Sequence, residues 1–281
     1  MDTGKLGVWY FTETMPAARA AEAARRIEAL GYGTLWIPET TGRNPMPHAA
    51  WLLANTERLN LATGIANIYH REPGVTLAAQ NTLAEQSGGR FLLGMGVSHA
   101  PLVEGVRGLT YGKPLATMRA YLDGMDAAPY TAPAPPARPP RVIAALGPKM
   151  LELARDRCDG AHPYFTSPQH TAMAREILGP EPMLCVEQKV ILETDPAKAR
   201  ELARGVASIY INLPNYRNNW LRMGLTEADL ADNGSDRFVD TTFAWGTEEQ
   251  IRARLREHFD AGASHVCIQP VHPNGVFGDL H

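Results

Sequence analysis

The residues of this chain best suited to chemistry sit just after short apolar runs. Glu13 follows the first run, residues 5–11. Glu39, Thr40 and Thr41 follow Thr34-Leu35-Trp36-Ile37. Gly64-Ile65-Ala66-Asn67, with His70 and Arg71, closes the third run, and Gly96, Val97, Ser98 and His99 close the fourth. Gly147-Pro148-Lys149, then His162 and Tyr164, then Glu187, Gln188 and Glu193, and finally Gln269 and His272 fall in the same place on later runs. Carboxylates and histidines there are candidate general acids and bases. Glycines there leave backbone amides bare for anionic groups of a ligand.

Small residues are what these positions supply best. Gly64, Gly96, Ser98 and Gly147 suit a phosphate-bearing cofactor lying across a barrel mouth. Other chemistries find less support. His70, His99 and His162 include no His-x-His or His-x-x-x-His pair that would fix two ligands on one element, so no metal is expected. No Gly-x-Ser-x-Gly nucleophile motif occurs. A glycosidase would pair carboxylates among Glu13, Glu39 and Glu187, but the loops carry few aromatic rings to stack a sugar.

The elements that must position these residues repeat in a regular order. Strands are expected at 5–11, 34–37, 60–66, 90–96, 141–145, 160–164, within 183–192 and at 265–269. Helices are expected near 17–30, 47–57, 73–86, 114–124, 148–157, 168–178, 196–211 and 247–261, with further helical turns to about 232. Gly88-Gly89 ends one helix with residues that tolerate a left-handed turn. Eight strands alternating with helices predict a parallel (β/α)8 TIM barrel, whose site is built from the loops after the strands. A doubly wound sheet would carry Gly-x-Gly-x-x-Gly after its first strand. Thr12-Glu13-Thr14-Met15-Pro16 stands there instead.

With 281 residues and 44% of them hydrophobic, the chain can build one large core, expected as a single domain over 1–281. Net charge is -3, so no basic face for nucleic acid is expected. Neither a leader-like amino terminus nor an apolar run of roughly 18 residues occurs, which predicts a cytoplasmic protein without a membrane span. Cys158, Cys185 and Cys267 are far apart and are expected as reduced core residues. The proline-rich stretch 129–140 is expected as a spacer before the fifth strand, on the face away from the site.

Ser87-Gly88-Gly89-Arg90 followed by Leu93-Gly94-Met95-Gly96 resembles the bacterial luciferase-like monooxygenase superfamily. Gly64-Ile65-Ala66-Asn67 and then Arg71-Glu72-Pro73 resemble its deazaflavin (coenzyme F420) branch, and the proline-rich connector with His162-Pro163-Tyr164 resembles an actinobacterial subgroup of it. The resemblance implies a luciferase-like barrel, a homodimer, and F420 or alternatively FMN at the carboxyl-end mouth. It implies a cis peptide at Gly64-Ile65 behind the cofactor ring. Gly64, Ile65 and Ala66, then Gly96, Val97 and Ser98, with Leu146 and Gly147, would line the cofactor and its phosphate. The implied activity is hydride transfer between the deazaflavin and a small organic substrate; an FMN-dependent monooxygenase using reduced flavin and O2 is the alternative, and a cofactor-binding protein without catalysis the third.

One departure bears on mechanism. Alcohol and sugar-phosphate dehydrogenases of the branch carry an Asp-His pair after strand two, and this chain has Glu39-Thr40-Thr41. His99 stands where those relatives hold a glutamate. His99 is therefore the expected general acid or base, with Glu13 and Glu39 orienting ring or substrate. Specificity is expected in 40–48, 99–113 and 212–240. Asn212 to Trp220 would be either a lid or a surface turn, and Arg43 and Arg71 are candidates for holding an anion.

Overall fold

Strands apolar at every position must be covered on both faces, and that requirement shapes the molecule. The computed structural model describes residues 1–272; residues 273–281 of the expected domain lie outside them. The chain begins β1 (Leu6–Trp9), α1 (Ala17–Ala29), β2 (Thr34–Ile37), α2 (Pro45–Ala54), β3 (Asn60–Thr63), β4 (Ala66–Asn67), α3 (Pro73–Gln86), β5 (Phe91–Gly96), α4 (Pro114–Ala127) and β6 (Arg141–Ile143). It continues α5 (Pro148–Arg157), β7 (Gly160–Ala161), α6 (Pro168–Leu178), β8 (Met183–Ile191), α7 (Pro196–Ala207), α8 (Pro214–Arg222), α9 (Asp236–Thr242), β9 (Phe243–Trp245), α10 (Glu248–Asp260) and β10 (His265–Pro270). Helices α3, α5 and α6 have the expected bounds. Each opens on proline, which lacks the amide that a first turn would leave unpaired.

The strands pair in the order β10-β1-β2-β3-β5-β6-β7-β8, and β8 pairs β10 to close the ring. Every pairing is parallel, as when Val8 faces Leu35 and Val266 faces Val186. This is the closed eight-stranded parallel barrel of the (β/α)8 class. Alternation along each strand divides the apolar residues between two cores. Val8, Leu35, Leu61, Phe91, Leu93, Ile143, Leu184 and Val266 pack outward with the helices. Trp9, Trp36, Ala62, Leu92, Val142, Cys185 and Cys267 form the inner cluster.

Several elements differ from those expected: the strand expected over 160–164 ends at Ala161, the helix expected over 196–211 ends at Ala207, and α9 has no expected counterpart. The strand expected over 60–66 is interrupted by a cis peptide at Gly64-Ile65, so β4 resumes beyond it and pairs β5. Phe243-Ala244-Trp245, without an expected assignment, forms β9 and pairs the outer half of β8. Three residues are too few to show a period, so only the neighbouring strand identifies it. Gly88 and Gly89 do take positive φ, 66° and 90°, at the end of α3. Residues 129–140 form no helix or strand. Gln80 donates to the Pro139 and Pro140 carbonyls and ties this connector down before β6. Cys185 and Cys267 are buried and Cys158 is partly exposed; all three are free thiols. Among the described residues no helix is long and apolar enough to cross a membrane.

Candidate active site

The loops at the carboxyl ends of the strands enclose a cavity of about 490 Å³, within the usual range for a small-molecule site. Its walls come from successive strand ends: Trp9 and Phe11, then Glu39 and Thr40, then Gly64 and Ile65, then Gly96 to His99, then Ala144 to Gly147, then His162 and Tyr164. The loop positions scattered through the sequence thus converge, because a closed ring of parallel strands brings all their carboxyl ends to one face.

The glycines are there for space. The indole of Trp9 donates to the Gly64 carbonyl at 3.0 Å. A Cβ at Gly64 would lie 2.5 Å from that indole nitrogen, and one at Gly96 would lie 2.7 Å from Ile65 Cγ1. Ile65 itself is half-buried and lines the cavity. Gly96→Ala is therefore expected to displace the Ile65 side chain into the cavity. A titration of this variant should show ligand affinity at least about tenfold weaker, a cost of roughly 1.4 kcal/mol, in a protein that still folds. Unchanged affinity would mean that Ile65 can shift without entering the ligand's space.

His99 lines the cavity, with its ring 5.5 Å from that of Tyr216. Burial holds its pKa below the ordinary histidine value, against the opposing effect of a hydrogen bond that the ring donates to the Asn215 side chain. Asn215, Tyr216, Asn218 and Arg222 of α8 all line the cavity, so the segment 212–220 caps the mouth. Ser98, beside His99, has a positive φ of 54°.

Glu39 lines the cavity but is already committed. It accepts from Arg71 at 2.8 Å, from the Asn67 amide at 2.7 Å, and contacts His70 Nδ1 at 3.1 Å. Burial opposes its charge, but Arg71, the Asn67 amide and His70 together outweigh that and hold the carboxyl below its usual range. Glu13 is not a lining residue. Its carboxylate accepts from the hydroxyl and amide of Thr40, and burial raises its pKa. Ala66 is likewise not among the lining residues: it lies in β4, buried against the outer core. The expected anion-binding arginines are occupied elsewhere. Arg71 pairs Glu39, and Arg43 donates to the Met15 carbonyl on the surface. Arg222 is the cationic lining residue among the described residues, and its Nη2 lies 3.9 Å from where a Cβ on Gly147 would be.

Tyr111 and Arg222 line the cavity from 99–113 and 212–240, two of the segments expected to set specificity, although nothing in their spacing marks either residue. Trp9, inside a strand, and Tyr210, outside those segments, carry no signal in the sequence. In the cavity wall, Tyr164 donates to Gln269 Oε1 at 2.9 Å and therefore accepts from the Tyr210 hydroxyl at 3.0 Å. Below them lies a fully buried ion pair on β8, with Lys189 Nζ 3.1 Å from Glu187 Oε2. Of the other candidates, Gln188 points outward to His258 and Glu193 accepts from the Asp195 amide at the start of α7.

A parallel barrel with a glycine-relieved, largely apolar cavity at its carboxyl mouth defines a barrel protein with a small-molecule-sized site there. The luciferase-like monooxygenase family matches residues 1–265, and the chain belongs to that family. It is 31% identical, over 94% of its length and 93% of the relative's, to a Mycobacterium tuberculosis protein assigned by name to the coenzyme F420-dependent oxidoreductases. A structure of an F420-dependent secondary alcohol dehydrogenase with an F420-acetone adduct superimposes with a TM-score of 0.74 at 17% identity, covering 99% of this chain and 97% of that one. The FMN-bound oxygenating constituent of 3,6-diketocamphane monooxygenase from Pseudomonas putida gives a TM-score of 0.68 at 15% identity, covering 95% and 92%.

Proposed function

We propose that this protein is an F420-dependent oxidoreductase that transfers a hydride between the deazaflavin and a small, uncharged organic substrate. The observation that carries the reading is the largely apolar cavity at the carboxyl-end mouth, lined by Ile65 packed directly on Gly96. The name of the mycobacterial relative supports the choice of cofactor. The residues present fit such a group: a Cβ at Gly64 or Gly96 would fill the floor, and the walls are mainly apolar. The apolar walls and the neutralised Glu39 favour an uncharged substrate over an ionic one.

When bound, the deazaflavin supplies the carbon that gives or takes the hydride. The chain does the rest. Ile65 would back the ring, and Gly96, Val97 and Ser98, with Leu146 and Gly147, would hold it and its phosphate. Phe11, Leu213 and Tyr216 exclude water. His99 is the proton donor or acceptor: burial keeps it neutral near pH 7, the form that takes a proton during substrate oxidation. Glu39 and Glu13 act as positioning residues, Glu39 by holding Arg71 and the loop before α3, Glu13 by holding Thr40.

Fluorescence titration of the purified protein with F420 and, separately, FMN tests the cofactor. Micromolar F420 binding with negligible FMN binding is expected. The reverse preference would move the protein to a flavin-dependent monooxygenase, and binding of neither would end the reading. His99→Ala is expected to leave F420 affinity within about twofold and to lower turnover by roughly 10²- to 10⁴-fold. Equal turnover in variant and parent would reduce His99 to a loop residue.

A further inference from the structure

His162 offers a hydrogen-bond acceptor for which the described residues supply no donor. Its Nδ1 lies 2.8 Å from the Cys185 carbonyl. A carbonyl only accepts, so Nδ1 carries the hydrogen. Burial depresses the ring's pKa to about 4, so the imidazole is neutral and Nε2 is a bare lone pair. That nitrogen is buried without a partner. Buried polar atoms of this kind are normally paired, and one left open at a cavity wall needs an account.

The ring cannot turn to find a partner. Trp36 stacks on it at 4.2 Å with 14° between the planes. The neighbouring donors are spent. The Trp36 indole donates to His265 Nε2 at 3.0 Å, and the Trp9 indole to the Gly64 carbonyl at 3.0 Å. His265 makes a useful contrast: it has the same tautomer, with Nδ1 on the Gly4 carbonyl at 2.7 Å, but its Nε2 is satisfied from within. His162 lines the cavity, and a Cβ at Gly64 would sit 3.1 Å from its Nε2. Gly64 thus sets no side chain against that nitrogen.

We propose that His162 is the polar anchor of the cavity floor, its Nε2 accepting a hydrogen bond from an N–H donor on the bound cofactor's ring system. The chemical class is the uracil-type imide that deazaflavins and flavins share. The inference rests on the proposed cofactor binding and adds the group that orients the ring. A substrate hydroxyl would be the other source of a donor, and the experiment separates the two.

The test uses full-length protein labelled with 15N at histidine. The His162 Nε2 resonance, assigned by its loss in His162→Phe, is followed without ligand, with saturating F420, and with F420 plus a turnover substrate. The expected result is an upfield move of Nε2 on F420 alone. F420 affinity in His162→Phe should fall roughly five- to a hundred-fold, since the ligand's donor is left unpaired. An Nε2 signal unmoved by saturating F420 overturns the proposal. So does a signal that moves only when substrate is added, which would give the donor to the substrate. If F420 does not bind at all, the cofactor reading fails and takes this inference with it. Should His162→Phe fold poorly, loss of the same resonance in His162→Gln gives the assignment, and the shift is still read on the parent protein.

Discussion

Acidification from neutral pH to about 4.5 is expected to unfold this protein, with several protons taken up in the transition. His162, His170 and His265 are buried with pKa values lowered to about 4, His48 likewise, and His258 to about 3, in each case first of all by burial. In the unfolded chain each returns to the ordinary value of 6.5. Above pH 6.5 the rings are neutral in both states and stability is at its full value. Below it the unfolded state binds protons that the folded state refuses, so stability falls with pH until the folded rings themselves titrate. The slope approaches about 1.4 kcal/mol per pH unit for each ring. By about pH 4.5 that is roughly 2–3 kcal/mol per ring, and the sum matches the roughly 5–15 kcal/mol that holds a typical domain. Glu187 and Glu13, whose pKa values burial raises, act in the opposite sense but are fewer. Urea midpoints measured from pH 7.5 to 4.5 check the prediction. A flat profile would show that the rings are solvated in the fold.

Lys189→Met is expected to cost about 3–5 kcal/mol, because it strands the Glu187 charge in the barrel interior. Both side chains are completely buried. Burial pulls Lys189 down to about 8 and pushes Glu187 up, while each favours the other's charged form. Lys189 Nζ also sits 3.7 Å from the Tyr164 ring centre and 4.0 Å from that of Phe165, so the ammonium is solvated by aromatic faces. Glu187 in turn accepts from the Phe165 amide at 2.8 Å. Removing both charges, as in Glu187→Gln with Lys189→Met, should restore much of the loss, since no ion is then left unpaired. Denaturant midpoints at constant m-value would read both effects. A single variant within about 1 kcal/mol of the parent would mean that water reaches the pair.

The order of strands and helices was legible because its signals are local. Pro73, Pro148 and Pro168 mark helix starts, and Gly88-Gly89 marks a stop. The continuous apolar runs of 34–37 and 91–96 mark strands covered on both faces. The glycines that relieve the cavity floor were legible as well, since they lie at strand ends where a barrel needs them. Glu13 was harder to place: a loop carboxylate reads the same whether it faces a cavity or, as here, turns to Thr40. Glu39 next to Arg71 was no clearer, because nothing in the spacing of 39 and 71 announces a bidentate pair.

By itself the sequence determined the barrel, the mouth at which the cavity opens and the small residues that make room there. These follow from periodicity and from backbone freedom, which each segment carries alone. Tertiary structure decided which polar groups remain available. It paired Glu39 with Arg71, buried Lys189 against Glu187, laid α8 over His99 and locked His162 between Trp36 and the Cys185 carbonyl. Such outcomes depend on partners tens of residues away, and on which donors those partners have already spent.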